Sequence, residues 1–100
     1  MPGPDNDAAG QDQGAIKEDV MKQKILVTED DGVQREIISD ILRLAGYDVT
    51  AKASAEEALA AVREEDFHAL LTDMRMAGMD GLELLRQAKR LRPELEVVVM

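Results

Sequence analysis

The sequence predicts an α/β domain in which helices flank a parallel β-sheet on both faces. Four short apolar runs, each five to seven residues long, alternate with three segments whose apolar residues recur at helical spacing. Each crossover between successive runs is long enough to hold a helix, which favours parallel strands and right-handed connections. The 100 residues, 45% of them hydrophobic, are enough for one small domain.

The first predicted strand is KILVT, residues 24–28, an apolar run of the kind that is buried on both faces of a sheet. An acidic loop follows, in which Asp31 is suited to cap a helix rather than to bind a ligand. Gly46 stands where a left-handed residue would end that helix. The helix is predicted from a set of apolar residues at helical spacing: Val33, Ile37, Ile38, Ile41, Leu42 and Ala45.

A second strand and helix are predicted over residues 47–64. YDVTAKA, residues 47–53, alternates in the manner of a strand. Ser54 and Glu57 then form a capping-box pattern at the start of a helix. This helix is expected to bury three apolar residues: Ala58, Leu59 and Val62.

The third and fourth strands are predicted at residues 68–72 (HALLT) and 96–100 (EVVVM). Between them, Asp80 can cap a helix that has Glu83 at its third position. We expect that helix to present one apolar face, made of Leu82, Leu85, Ala88 and Leu91.

Composition divides the chain into two parts. Residues 1–20 are rich in Gly, Pro, Asp, Asn and Gln, hold five acidic residues against one lysine, and have few large apolar residues. Such a segment cannot bury enough apolar surface to offset the entropy of ordering. We therefore predict a disordered acidic tail at 1–20 and a folded domain at 21–100.

Charge and residue content exclude several functions. The net charge of −9 argues against a nucleic-acid surface, which needs clustered Lys and Arg. The sequence has no cysteine, so disulfides and thiolate metal sites are excluded. It shows neither a membrane span nor a secretory signal. A soluble, cytoplasmic protein is expected.

Three acidic residues follow strands that should be neighbours in the sheet. Glu29 and Asp30 come directly after the first strand, and Asp73 follows the third. Open α/β sheets bind ligands beyond the carboxyl ends of their strands, where the strand order reverses. Converging carboxylates repel one another unless a cation neutralises them, and one or two carboxylates plus phosphoryl oxygens suit Mg²⁺ better than Ca²⁺, which takes six to eight ligands. Asp73, at a strand end, is the candidate nucleophile for an aspartyl phosphate.

Two segments carry a family resemblance. ILVTEDD and ALLTDMRMAGMDGLELL resemble the two acidic signatures of response-regulator receiver domains, and the match in order and spacing runs from about residue 22 to 100. The resemblance implies a flavodoxin-like (CheY-like) three-layer αβα fold with strand order 2-1-3-4-5. The sequence is also similar to receivers attached to transcription activators of the nitrogen-regulation class.

The resemblance also implies the roles of individual residues. Asp73 would be the phosphoacceptor and would receive its phosphoryl group from a sensor histidine kinase or a phosphotransfer protein. Asp30 would bind Mg²⁺ directly and Glu29 largely through water. Arg75 would contribute its backbone carbonyl to the metal, and Gly81 would let the loop turn into the next helix.

The sequence departs from the family pattern in three ways. Ala77 stands where the family usually has proline, and Glu29 stands where it often has aspartate. The sequence ends at Met100, before the Ser or Thr and the Lys that the family carries after its fourth and fifth strands. We therefore expect a receiver of strand order 2-1-3-4 that lacks the fourth helix, fifth strand and last helix. Its exposed edge at 97–99 would allow pairing with a second copy.

The resulting hypothesis is a phosphorylation-controlled signalling switch rather than a metabolic enzyme, with a transcriptional output domain beyond this chain. A second hypothesis is a receiver-like module that binds partners or dimerises without phosphorylation. A metal-dependent phosphatase is disfavoured, because such enzymes typically carry an Asp-x-Asp signature after the first strand and TEDDG does not match it.

Overall fold

The computed structural model describes residues 22–75 and 78–100, in which four strands alternate with three helices. The predicted tail at 1–20 and the unusual Ala77 lie outside these ranges. In chain order the elements are β1 Lys24–Thr28, α1 Gly32–Leu44, β2 Asp48–Lys52, α2 Ala55–Glu64, β3 Ala69–Thr72, α3 Gly81–Leu91 and β4 Glu96–Val99.

The strands form one parallel sheet in the order β2-β1-β3-β4. Ile25 of β1 lies between Val49 of β2 and Ala69 of β3, and Thr28 lies between Lys52 and Thr72. The strand order therefore reverses at β1, which has β2 as its neighbour on one side and β3 as its neighbour on the other. This confirms the predicted α/β class and the 2-1-3-4 order.

Alternation along β1 divides the core between the two faces of the sheet. Leu26 belongs to the larger cluster, which also contains Leu70 of β3, Leu59 of α2 and Leu84 of α3. The residues on either side of Leu26 pack with α1 on the opposite face in a smaller cluster: Ile25, Val27 and Val49, with Ile38 and Leu42 against them. Successive strand residues point to opposite faces, so one apolar run supplies both cores and produces three layers.

Local signals in the sequence fix the helix ends. Asp31 accepts hydrogen bonds from the N–H groups of Val33 and Gln34 at 2.9 and 3.1 Å. At the other end of α1, Gly46 has a φ of +101°, and its N–H donates to the carbonyl of Arg43 at 3.0 Å. The next N–H, that of Tyr47, reaches the carbonyl of Leu42, which completes a Schellman motif.

The start of α3 explains why two residues of its predicted apolar face, Leu82 and Leu91, lie outside the core while Ala88 is buried as predicted. Gly81 packs so closely that a Cβ there would lie 2.5 Å from the backbone oxygen of Asp73. This contact turns Gly81, Leu84 and Ala88 toward the sheet, and all three are buried. Leu82 and Leu91, which were expected inside, are exposed. Gly81 is thus required by close approach of two backbones rather than by a turn.

Apolar surface remains on α1 and on β4. The predicted helix is present as α1, but three of its predicted apolar residues, Val33, Ile37 and Ile41, are exposed, and so is Leu44. β4 forms one edge of the sheet, and Val98 in its middle is 52% exposed. Within residues 22–75 and 78–100, no helix combines the length and the apolar character needed to cross a membrane.

Candidate functional site

The sheet brings two acidic segments to the same edge. β1 and β3 are neighbours, and their last residues, Thr28 and Thr72, are paired in register. The ladder continues one residue further, because the N–H of Asp73 donates to the carbonyl of Thr28 at 3.3 Å and that of Glu29 donates to Lys52 at 3.1 Å. Hydrogen bonds to a neighbouring strand therefore fix the backbones of both Glu29 and Asp73.

Glu29, Asp30 and Asp73 form a compact acidic cluster. Each offers one carboxylate oxygen, and these three oxygens lie within 4.8 Å of one another. They border an open depression whose other lining residues are Asp31, Gln34, Ile38 and Met100. The structure thus brings together the three carboxylates that the sequence singled out.

Glu29 is the buried member of the cluster, with 5% of its surface exposed, whereas Asp30 is exposed. The Glu29 carboxylate accepts the N–H of Asp31 at 3.2 Å, and the Glu29 carbonyl accepts a guanidinium N–H of Arg35 at 2.8 Å. Burial raises the pKa of the Glu29 carboxyl; the Asp31 N–H opposes this increase and the charge of Asp73 adds to it. The cluster is therefore electrostatically unfavourable without a counter-charge.

Hydrogen bonds from the preceding residue and from the loop that follows hold Asp73 in place. One of its carboxylate oxygens, Oδ1, accepts the N–H of Arg75 at 3.1 Å. Its carbonyl accepts the hydroxyl of Thr72 at 3.1 Å and lies against Gly81. The structure places the N–H of Arg75 on Asp73, while the predicted metal-binding role of the Arg75 carbonyl stays a prediction.

Two acidic residues outside the cluster act as helix caps. Asp31 and Asp80 cap α1 and α3, and Asp80 accepts the N–H of Glu83 at 2.9 Å. These contacts confirm the interpretation of both residues as helix caps.

Sequence reasoning missed two residues beside the cluster, Gln34 and Met100. Gln34 follows the capping Asp31 by three residues, which brings it to the same side of α1. Met100 is one residue beyond β4, and its backbone bonds with Thr72 and Met74 bring it level with Asp73. The pairing of β4 with β3 is the signal that could have located Met100, but it is visible only once the register is known.

The chemistry of the cluster fits a hard divalent cation. Its donors are carboxylate oxygens at a solvent-open strand end, and Mg²⁺ binds through one or two carboxylates while keeping several waters. Burial and, to a smaller extent, the charge of Asp73 raise the pKa of Glu29, and a bound cation would offset that charge. The donor set of the cluster is therefore of the kind that suits a hard divalent cation such as Mg²⁺.

Comparison with known proteins gives one consistent family. The sequence profile of the response regulator receiver domain matches residues 25–100. The chain is 41% identical over 80 residues to response regulator protein FleR of Pseudomonas aeruginosa, and 42% identical over 79 residues to transcriptional regulatory protein ZraR of Salmonella typhimurium. These matches cover 80% and 79% of this chain but only 17% and 18% of the two relatives.

Solved structures agree with the sequence comparison. The chain resembles a CheY-like response regulator receiver domain protein from Methanospirillum hungatei with a TM-score of 0.76 and 35% identity. That match covers 78% of this chain and 62% of the archaeal one. The profile match, the two relatives and the fold point to the same conclusion: the chain belongs to the response-regulator receiver domains of two-component signalling systems.

Proposed function

We propose that this chain is a phosphoacceptor switch in which Asp73 receives a phosphoryl group from a sensor histidine kinase or a phosphotransfer protein. The observation that carries the proposal is the acidic cluster, with its three carboxylate oxygens within 4.8 Å at the carboxyl ends of β1 and β3. We assign the switch to residues 21–100, with residues 1–20 as a tail, and place the protein in the cytoplasm.

Four residues would hold Mg²⁺: Asp30 and Asp73 through their side chains, Glu29 largely through water, and Arg75 through its backbone carbonyl. When bound, Mg²⁺ supplies positive charge that offsets the carboxylates and the phosphoryl oxygens. Burial of Glu29 fits a supporting role, because a buried carboxylate that accepts the N–H of Asp31 is held in one orientation.

Asp73 is the nucleophile in this proposal. A carboxylate oxygen of Asp73 forms a bond to phosphorus while the bond from phosphorus to the kinase histidine breaks, and the histidine nitrogen keeps the electron pair and takes a proton. The N–H of Arg75 fixes the carboxylate orientation, and Gly81 allows α3 to begin without displacing the Asp73 backbone. Both contacts favour a preformed geometry for the attack.

Phosphorylation would act as a signal by changing the charge of the strand end. It replaces the single negative charge of the Asp73 carboxylate with the roughly 1.5–2 negative charges of a phosphoryl group beside Glu29 and Asp30, and this shifts the balance between conformations that differ there. FleR and ZraR are named as response and transcriptional regulators, and this chain spans under a fifth of their length. We propose that a transcriptional output domain outside this chain reads the switch.

Magnesium affinity separates this function from a phosphorylation-independent interaction module. Titration of the amide signals by NMR should show saturable Mg²⁺ binding around residues 29–31 and 73–75, and Asp30→Asn should weaken it strongly. Asp48→Asn, an exposed acidic residue of β2, serves as the matched control and should bind Mg²⁺ as the parent does. Equal titrations for all three proteins would favour a module that pairs through the β4 edge instead.

A further inference from the structure

A second cleft lies between α1 and the edge strand β2, outside the acidic cluster. Its lining residues are Gly32, Arg35, Glu36, Ser39, Arg43 and Ala51. None of them belongs to the proposed metal site, so whatever this cleft binds does not depend on the phosphoacceptor function. Two arginines against one glutamate give its walls a positive balance in an otherwise acidic protein.

Ser39 is the unusual member of this cleft. Only 2% of its surface is exposed, and its hydroxyl has no hydrogen-bond partner among the residues that the structure describes. Buried hydroxyls are almost always partnered, because leaving one unpaired loses its hydration without compensation. Ser39 is also the one fully buried residue of α1, where an alanine or an aliphatic residue would pack without this cost. In the described residues the Ser39 hydroxyl is therefore a donor that a group bound in this cleft would satisfy.

Two arginines stand one helical turn on either side of Ser39. Arg35 and Arg43 are four residues before and after it, so all three share one face of α1. One N–H of Arg35 donates to the carbonyl of Glu29 at 2.8 Å, and one of Arg43 donates to that of Val49 at 3.4 Å. Each guanidinium has five donors, so these bonds orient both groups and leave further donors for a ligand.

Two acidic groups, Glu36 and Asp40, match the two arginines in formal charge, but both are exposed. Asp40 lies 3.7 Å from Arg43, and both side chains of this pair are more than half exposed. Such a pair contributes little and is easily exchanged for another anion. Glu36 lines the cleft but is itself exposed. The cleft has a volume of about 190 Å³, below the ~300–1,000 Å³ of sites for drug-sized molecules. A small anion matches this size better than a nucleotide.

We propose that Arg35, Ser39 and Arg43 bind a phosphate group, either as inorganic phosphate or at the end of a small phosphomonoester. The Ser39 hydroxyl would donate to one phosphate oxygen, and the two guanidinium groups would donate to the others. Planar guanidinium donors match phosphate oxygens in geometry, and such charge-assisted bonds are the strong ones. The arrangement gives the buried hydroxyl its missing partner.

The test is an NMR titration of the full chain in EDTA at constant ionic strength, with inorganic phosphate and with glycerol phosphate in separate series. We expect saturable shifts of the Gly32, Ser39 and Ala51 amides. Arg43→Gln should weaken binding at least about tenfold, because it removes charge-assisted hydrogen bonds. Arg90→Gln, which removes the same charge from exposed α3 surface, should bind like the parent. Preference for one of the two probes identifies the source of the phosphate group.

Two further variants make the outcome decisive. Ser39→Ala loses no protein hydrogen bond and should fold normally, yet bind phosphate several-fold more weakly. Asp73→Asn should leave phosphate binding unchanged, which separates this site from the phosphoacceptor. The proposal is overturned if neither probe gives saturable shifts at the cleft, or if Arg43→Gln and Arg90→Gln respond alike.

Discussion

Removing the charge of Asp73 should change the stability of the fold in opposite directions without and with magnesium. Asp73 is one of three carboxylates whose oxygens lie within 4.8 Å. At 4.8 Å, Coulomb's law gives a repulsion of about 0.9 kcal/mol per pair in water and about 3.5 kcal/mol at an effective dielectric constant of 20. Because Asp73 is only half-buried and Asp30 is exposed, the lower value applies best. Asp73→Asn relieves two such pairs, so we expect a gain of about 1–2 kcal/mol in EDTA.

Magnesium should reverse this order. A ligand that binds only the folded state at a hundred times its Kd stabilises that state by about 2.7 kcal/mol, which exceeds the advantage of the variant in EDTA. The parent should gain this amount and Asp73→Asn should gain little, because the variant loses one of the carboxylate ligands. Asparagine can still accept the N–H of Arg75 through its side-chain oxygen, so the loop geometry is preserved.

Urea unfolding followed by circular dichroism measures both effects, in EDTA and in MgCl₂ at matched ionic strength. Asp48→Asn is the matched control, since it removes an equal charge at the opposite end of the sheet and should respond to magnesium as the parent does. A variant at Asp73 that is less stable than the parent in EDTA, or that gains as much from magnesium, would refute the electrostatic coupling of the cluster.

Four other substitutions test the packing and electrostatics around the site. Thr28→Val should raise the free energy of unfolding by about 1 kcal/mol, because the buried Thr28 hydroxyl has no partner in the described chain. Thr72→Val should lower the free energy of unfolding by about 1 kcal/mol, because the Thr72 hydroxyl donates a hydrogen bond at 3.1 Å. Gly81→Ala should cost at least about 2 kcal/mol, since its Cβ would lie 2.5 Å from a backbone oxygen. Hydrogen bonds from Gln87 and then Arg86 lower the pKa of Glu83, so its stabilising effect is present above the ordinary carboxyl range and is lost as pH falls through the lowered pKa. Glu83→Gln should therefore be less stable than the parent at pH 7 and equal to it in strong acid.

Urea midpoints provide the readout for all four substitutions. For Gly81 the control is Gly32→Ala, whose Cβ would make only an ordinary contact at 3.5 Å and should be tolerated. Equal effects of the two threonine substitutions would show that the Thr28 hydroxyl is satisfied after all. A difference between parent and Glu83→Gln that persists unchanged at low pH would exclude the carboxylate as its cause.

Much of the fold could be predicted because its signals are local. Strand β1 has the predicted bounds, 24–28, since charged residues flank a short apolar run. Asp31, Ser54 and Asp80 each cap the helix that follows, as their spacing indicates. The meeting of Glu29 and Asp73 could also be predicted, because parallel neighbouring strands end at one edge of the sheet.

Features that depend on tertiary contacts could not be predicted. The face that α3 buries is set by contact of Gly81 with the Asp73 backbone, 8 residues away in sequence, and amphipathic spacing alone favoured Leu82 and Leu91. Burial of Glu29 rather than Asp30 depends on which side of the strand end turns inward. The cleft around Ser39 likewise needs β2 beside α1, so its spacing from two arginines carries no meaning until the sheet is assembled.

Intact-mass measurement of the chain after treatment with a small acyl-phosphate donor tests the central claim most directly. The experiment compares the parent with Asp73→Asn, each with and without Mg²⁺. The account predicts one phosphoryl group on the parent that requires Mg²⁺ and is absent from the variant. A parent that takes up no phosphoryl group, or a variant that is labelled equally, would contradict the assignment of Asp73 as the phosphoacceptor.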